Sequence, residues 1–344
     1  MTSDSFIEIA HQEALNANKV TKDTTNTWKF TANEITDVAV AISNHYNWDA
    51  SSIMVDSTTQ RRASVQAACD EKSKDFKQMV MFGKQALSWF SNNIPGVSYP
   101  FSKSTIVRGF ADMEYHMMVN DNSAGDPDFT RFVVEHEIAH TYFPFYMETN
   151  ETRFGFMDEG WATTLEYLIG ISDSGKDVAA ANFKKFRVNR WINDPSMEED
   201  LPIITPSNIL SGPGLGNNEY GKAALGYLAL KNLIGEEGFK TALRGYMQRW
   251  HGKHPTPWDF FYSINDVSGK DLNWFWDSWF FSTNYIDLAI DKVSQKGKNT
   301  LITIKNIGGM PAPVDIEVRL SDTEIKTLSI SGSLGEWQPS CRKT

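Results

Sequence analysis

The pentapeptide HEIAH at residues 136–140, followed by a glutamate at position 159, restricts this chain more than any other part of its sequence. On a helix, two histidines four residues apart share one face. The surrounding stretch FTRFVVEHEIAHTYF supports a helix, with apolar residues at Phe132, Val133, Ile138 and Ala139. From it, His136 and His140 can hold a zinc ion, and Glu137 is placed to take a proton from a water activated there. Glu159 opens a second helix in FGFMDEGWATTLEYL, running from Glu159 to Leu168 with Asp158 as its cap. Two imidazoles and one carboxylate leave a fourth position open, as catalytic rather than structural zinc sites do. Glu166 falls two turns past Glu159 on the same face, where it can accept a hydrogen bond from the spare ring nitrogen of a ligand histidine. The competing reading makes Glu159 a carboxylate favoured by the helix dipole and Glu166 a solvated side chain.

With 344 residues the chain can bury a large core and divide into two domains. Its 33 basic and 43 acidic residues leave a net charge of -10, which argues against a nucleic-acid partner. The 21 Phe, 11 Tyr and 11 Trp supply core volume and can line a substrate cleft. Cys69 and Cys341 stand far apart in polar surroundings and are expected to be free thiols, with one long-range disulfide left open. No apolar run reaches the roughly 18 residues of a membrane-spanning helix. The start, MTSDSFIEIAHQEA, lacks the basic and apolar regions of a signal peptide. The compartment stays open, including origin in a longer exported or periplasmic bacterial enzyme.

Along the chain, Lys29 to Tyr46 reads as an entry strand or turn followed by a helix capped by Asn33. QMVMFGKQALSWFSNNI, Gln78 to Ile94, has a stronger amphipathic pattern. Thr105, Ile106 and Val107 suit a buried strand, and Met113 to Val119 another at a cleft edge. Helices are expected over Asn217 to Gly235 and over EEGFKTALRGYMQRWHG, with two shorter ones separated by Gly269. Trp274, Trp276 and Trp279 in this half read as core or interface packing. Near Tyr285 the period changes to that of strands, through IDLAIDKV, NTLITIKNI, APVDIEVRL and IKTLSIS, with a turn at residues 306–309.

Two further residues can complete a hydrolytic site. Tyr220, opening YGKAALGYLALK, can donate a hydrogen bond to a developing oxyanion, although a helical tyrosine is more often a packing residue. Glu114, in RGFADMEYHMM, can bind an α-ammonium group or serve as a structural ion-pair partner.

Together these places resemble the M1 family of zinc aminopeptidases, which are gluzincins. The family pattern of HExxH, eighteen residues and Glu is matched by HEIAH, TYFPFYMETNETRFGFMD and Glu159. The GxMEN motif is similar to GFADMEY, with a longer spacing before Met113 and Tyr115 in place of Asn; the YxKG-like segment resembles YGKA. The resemblance spans about residues 30 to 330. It implies one Zn2+ held by His136, His140 and Glu159, Glu137 as general base, Tyr220 as stabiliser of the intermediate, Glu166 behind the ligands and Glu114 on the substrate amine. The implied fold is α+β: a thermolysin-like catalytic domain with a mixed β region and a large helical half, then a small β-sandwich-like domain. The corresponding divisions are residues 1–30 as linker or the end of an amino-terminal β domain, 31–285 as the zinc peptidase domain and 286–344 as the small β domain. Because family members carry a substantial amino-terminal β domain, the resemblance also implies a fragment or a reduced homologue. The expected activity is hydrolysis of amino-terminal peptide bonds, with peptides bearing a free amino terminus as partners. A thermolysin-like endopeptidase and a catalytically impaired scaffold or binding fragment are the alternatives. Preferred residue and oligomeric state are not legible.

Overall fold

The computed structural model describes residue 32, residues 35–189 and residues 200–330. A five-stranded sheet comes first: β1 (Asn47–Asp56), β2 (Arg61–Cys69), β3 (Lys103–Arg108), β4 (Met113–Tyr115) and β5 (Met118–Asp121). Its spatial order is β1-β2-β3-β5-β4. The inner pairs β2/β3 and β3/β5 are parallel, while the outer pairs β1/β2 and β4/β5 are antiparallel. Asp56 closes the first hairpin by accepting from Thr58 N and Thr59 Oγ1 at 2.9 and 2.7 Å. The expected strand over Met113 to Val119 is in fact a hairpin, because Tyr115 and Met118 pair across a two-residue reversal. Its first arm, carrying Glu114, is the edge of the sheet.

Helix α1 (Met79–Asn92) packs on this sheet and beside α2 (Pro127–Ala139). Gly83 permits the approach: a Cβ there would lie 2.8 Å from Val65 Cγ1 and 3.0 Å from Ile106 Cδ1. Asp126 caps α2 by accepting from Asp128 N at 3.1 Å, and Pro127 occupies the first turn, where a missing N–H costs nothing. The helix stops near Pro144 because a residue before proline avoids the α region; Phe143 has φ -137° and ψ 104°.

The helical half comprises α3 (Glu159–Ser174), α4 (Lys176–Phe183), α5 (Ala223–Ile234), α6 (Glu236–Trp250), α7 (Pro257–Ser268) and α8 (Asn273–Phe280). The turns Gly212–Leu215 and Gly216–Lys222 lead directly into α5. Helix α7 begins with a Thr256/Asp259 capping box and ends at Gly269 in the left-handed region, φ 64°. Its core is aromatic: buried Trp161 stacks on Phe143 and Tyr227 at centroid distances of 5.0 and 4.0 Å. Trp276 is buried, while Trp274 and Trp279 pack partly buried against the same core.

The period change near Tyr285 marks the start of four strands, β6 (Leu288–Lys296), β7 (Asn299–Asn306), β8 (Val314–Arg319) and β9 (Ile325–Ile330). They form two separate antiparallel pairs, β6/β7 and β8/β9. A mixed sheet, a large helical half and a small β domain are thus the thermolysin-like order that the motifs imply.

One expected helix is absent. Residues 35–46 are not helical, and Asn33 and residues 1–30 lie outside the described residues. Val38, Val40 and Ile42 alternate with two alanines, and β-branched side chains at period two oppose a helix. Instead, Tyr46 Oη donates to Arg108 O at 2.6 Å, and Asp37 Oδ1 meets His116 Nδ1 at 3.1 Å. Cys69 is a free thiol; Cys341 lies outside the described residues. Among the described residues no helix is long and apolar enough to cross a membrane.

Candidate metal centre

Helix α2 places an unusual set of polar side chains in the interior. Glu135, His136, Glu137 and His140 are all buried, so each needs compensation from its neighbours. The i, i+4 spacing brings the two imidazole centroids to 4.8 Å, and the first turn of α3 brings Glu159 against them. His136 Nε2 lies 3.2 Å from His140 Nε2 and 3.1 Å from Glu159 Oε2, which is 3.4 Å from His140 Nε2. Tetrahedral zinc with bonds of about 2.0–2.1 Å separates its ligand atoms by about 3.3–3.4 Å. The donor triangle therefore has the size and the N, N, O chemistry that zinc takes.

The rear of each ring supports the same assignment. His136 Nδ1 is 2.9 Å from Glu166 Oε2. His140 Nδ1 is 2.6 Å from Asp158 Oδ1 and 3.1 Å from Phe143 O, the carbonyl turned back where the helix breaks. Arg187 Nη2, a donor, also stands 3.3 Å from His136 Nδ1, but the Glu166 carboxylate is closer. With carboxylate acceptors at both Nδ1 atoms, the Nδ1–H tautomers are favoured and both Nε2 lone pairs face the triangle. Asp158 was expected to cap α3, but its side chain caps nothing; the imidazole competes successfully for the carboxylate. A second group, Glu114, His140 and Asp158, also has metal-ligand composition. It meets His140 at Nδ1, the nitrogen that donates to Asp158, so we read it as hydrogen-bond support rather than a ligand set.

The carboxylates create a site in need of positive charge. Burial alone would lower the pKa of His136, yet hydrogen bonds to Glu159 and Glu166 push it up to about 9. His140 is raised well above its ordinary value because Glu114, Asp158 and Glu159 outweigh its burial. Glu159 is held well below the usual carboxylate range, burial being overcome by His140 and His136. Without a metal, protons on the imidazoles supply the charge that a divalent cation would otherwise supply, so metal binding must displace them.

Glu137 is raised to about 7, chiefly by burial, and its Oε2 has no hydrogen-bond partner among the described residues. Tyr220 Oη donates to Glu159 Oε1 at 2.5 Å, and burial followed by the Glu159 charge raises its pKa, keeping it a donor. Glu114 is buried with Oε1 4.0 Å from His140 Nδ1. The seven residues singled out from sequence therefore converge on one region. Arg187 also enters it, donating to both oxygens of Glu166. No motif or spacing marks Arg187 in FKKFRV.

The Peptidase family M1 domain matches residues 108–279, half of the chain. Aminopeptidase N of Lactococcus lactis subsp. lactis is 22% identical over 180 residues, which are 50% of this chain and 21% of that protein. This chain thus spans about a fifth of that curated relative's length. Legionella pneumophila aminopeptidase A, solved in complex with aspartic acid, has a TM-score of 0.61 at 16% identity over 83% of this chain and 35% of its own. A two-domain M1 zinc metallopeptidase mutant bound to L-arginine has a TM-score of 0.55 at 14% identity, covering 69% of this chain and 52% of its own. At these identities the two structures speak to fold alone; with the matched family domain and the buried donor triangle on the same helices, the chain belongs to peptidase family M1.

Proposed function

We propose that the chain is a zinc-dependent metallopeptidase that removes residues from the amino terminus of peptides. The carrying observation is the buried donor triangle, with edges of 3.1, 3.2 and 3.4 Å and an acceptor behind each imidazole. His136, His140 and Glu159 would hold one ion. When bound, zinc would polarise the scissile carbonyl and acidify the attacking water.

The chain's own groups account for the proton movements. Glu137 takes the proton of the attacking water and returns it to the leaving amine. Its unpartnered buried oxygen and raised pKa suit a base that must also become an acid. Tyr220 shifts its hydrogen bond from Glu159 to the oxygen that gains charge in the tetrahedral intermediate. Glu166 and Asp158 hold the two imidazoles in the ligating tautomer. Glu114 takes the substrate ammonium and so measures distance from the chain end. The aspartic acid and L-arginine bound by the two solved M1 proteins support a site for free α-amino groups. The endopeptidase reading draws on Glu114 being buried, with an oxygen 4.0 Å from the rear nitrogen of His140.

Zinc content and cleavage of one peptide, free or amino-acetylated, test this reading. One zinc per chain and stepwise trimming of the free peptide alone are expected, with Glu114→Ala losing the preference. Equal internal cleavage of both peptides would establish the endopeptidase instead. Absence of zinc from protein prepared with the metal would refute both.

A further inference from the structure

Arg187 lies in the helical turn Lys184–Val188 after α4, remote in sequence from every group it meets. Its side chain is 17% exposed. Nη2 donates to Glu166 Oε2 and also stands 3.3 Å from His136 Nδ1, while Nε donates to Glu166 Oε1 at 3.4 Å. That two-point grip fixes the carboxylate's orientation as well as its charge. Glu166 Oε2 is the same oxygen that lies 2.9 Å from His136 Nδ1. The guanidinium carbon also lies over the Tyr220 ring, 5.1 Å from its centroid. The Tyr220 ring is in turn nearly parallel to His136, at 9° and 6.2 Å.

The backbone adds an independent observation. A Cβ on Gly221 would lie 2.3 Å from the carbonyl oxygen of Arg187. The residue beside Tyr220 is thus a glycine where the Arg187 main chain presses closest. Neutralising Glu166 would need only a positive charge, and a lysine could supply it. Gripping both oxygens of a carboxylate while also standing over an aromatic ring suits a forked guanidinium, not the point charge of an ammonium.

We propose that Arg187 is a positioning residue that fixes two parts of the reaction at once. Through Glu166, and by its own contact with Nδ1, it orients the zinc ligand His136, and from its place over the ring it holds the oxyanion donor Tyr220. The inference rests on the function proposed above, but its first half can be read from metal binding alone.

The experiment compares Arg187→Gln and Arg187→Lys with the unaltered protein, using chelator competition for zinc affinity, steady-state peptide cleavage and crystal structures. Arg187→Gln should weaken zinc binding about 10- to 100-fold, the usual effect of losing support behind a ligand. Arg187→Lys should restore most of that affinity because it keeps the charge on Glu166. It should nevertheless lower kcat about 10- to 100-fold with KM unchanged, since the tyrosine is no longer held in place. On a Tyr220→Phe background, Arg187→Lys should cause little further loss, because the hydroxyl it positions is already gone. Full recovery of kcat by lysine, or independent losses in the double variant, would overturn the link to Tyr220. Unchanged zinc affinity in folded Arg187→Gln would overturn the link to His136. If Arg187→Gln does not fold, the lysine variant and its double carry the test. If the unaltered protein binds zinc but cleaves no peptide, the proposed function fails, while zinc affinity and the Tyr220 ring position in the variant crystals still decide the role of Arg187. If the unaltered protein binds no zinc, the same crystals decide it through the orientations of His136 and Tyr220.

Discussion

The facing turns of α2 and α3 and the hairpin β6/β7 treat their side chains in opposite ways. Between the helices, ionisable groups that water would readily solvate are buried: His136, Glu137, His140 and Glu166. In the hairpin, Ile290 and Val293 are 63% and 60% exposed although apolar. The first region accepts a desolvation cost to assemble a reactive cluster, offset by mutual pairing. The second has weak demands on side-chain identity. Substitutions should therefore act through chemistry between the helices, through packing just beneath them and barely at all on the hairpin face.

Glu137→Gln should have the largest effect. It nearly preserves shape but removes the proton acceptor, so kcat should fall about 100- to 10,000-fold. Zinc content should stay near that of the unaltered protein, because the substitution leaves the donor triangle of His136, His140 and Glu159 in place. A near-normal kcat in zinc-loaded protein would remove Glu137 from the mechanism. Trp161→Ala tests the layer beneath. The indole is fully buried against Phe143 and Tyr227, and its loss should lower stability by about 3–5 kcal/mol in denaturant unfolding. A change below about 1 kcal/mol would mean that the site does not rest on this stack.

Tyr220→Phe should be milder, lowering kcat about 100- to 1,000-fold by loss of one oxyanion donor. KM should change little if the bond forms only as charge develops. The hydroxyl also donates to Glu159 Oε1, so zinc affinity must be measured in the same variant. A large loss of zinc with an unchanged kcat per bound ion would make Tyr220 a ligand support rather than a donor.

The same contrast explains what could be read from sequence. The spacing of His136 and His140, and that of Glu159 and Glu166, is converted to a shared face by helix geometry alone. Gly269 and the Thr256/Asp259 pair mark helix ends through local backbone rules. Asp158 does stand at the N-cap position of α3, as an aspartate before a helix should, but its carboxylate makes no capping bond, because the tertiary fold brings His140 within 2.6 Å. Arg187 was invisible for the same reason, since its contacts join segments twenty or more residues apart. The β1/β2 hairpin had no strong turn dipeptide to announce it. Residues 35–46 mislead in another way: their alternating Val38, Val40 and Ile42 lie in neither helix nor strand, so the period has no paired partner to make it conclusive.

The smallest effect is expected at Ile290 and Val293. They are three residues apart, a spacing that would put them on opposite faces of a regular strand. The register shifts between Ile290 and Lys292, so Ile290 pairs with Ile304 and Val293 with Ile302. Ile302 and Ile304 share a face, and the irregularity returns Val293 to that of Ile290. The resulting apolar face is retained by pairing while both β6 residues stay largely in water. Threonine keeps the β-branched shape suited to a strand and removes little buried area. Ile290→Thr and Val293→Thr should each change stability by no more than about 0.5 kcal/mol, with kcat and zinc content unchanged. Thermal unfolding and sedimentation velocity would check both the fold and the association state. A loss of several kcal/mol, or dissociation of an oligomer, would show that this face is covered in solution and that the contrast with the helical site is smaller than the exposed side chains imply.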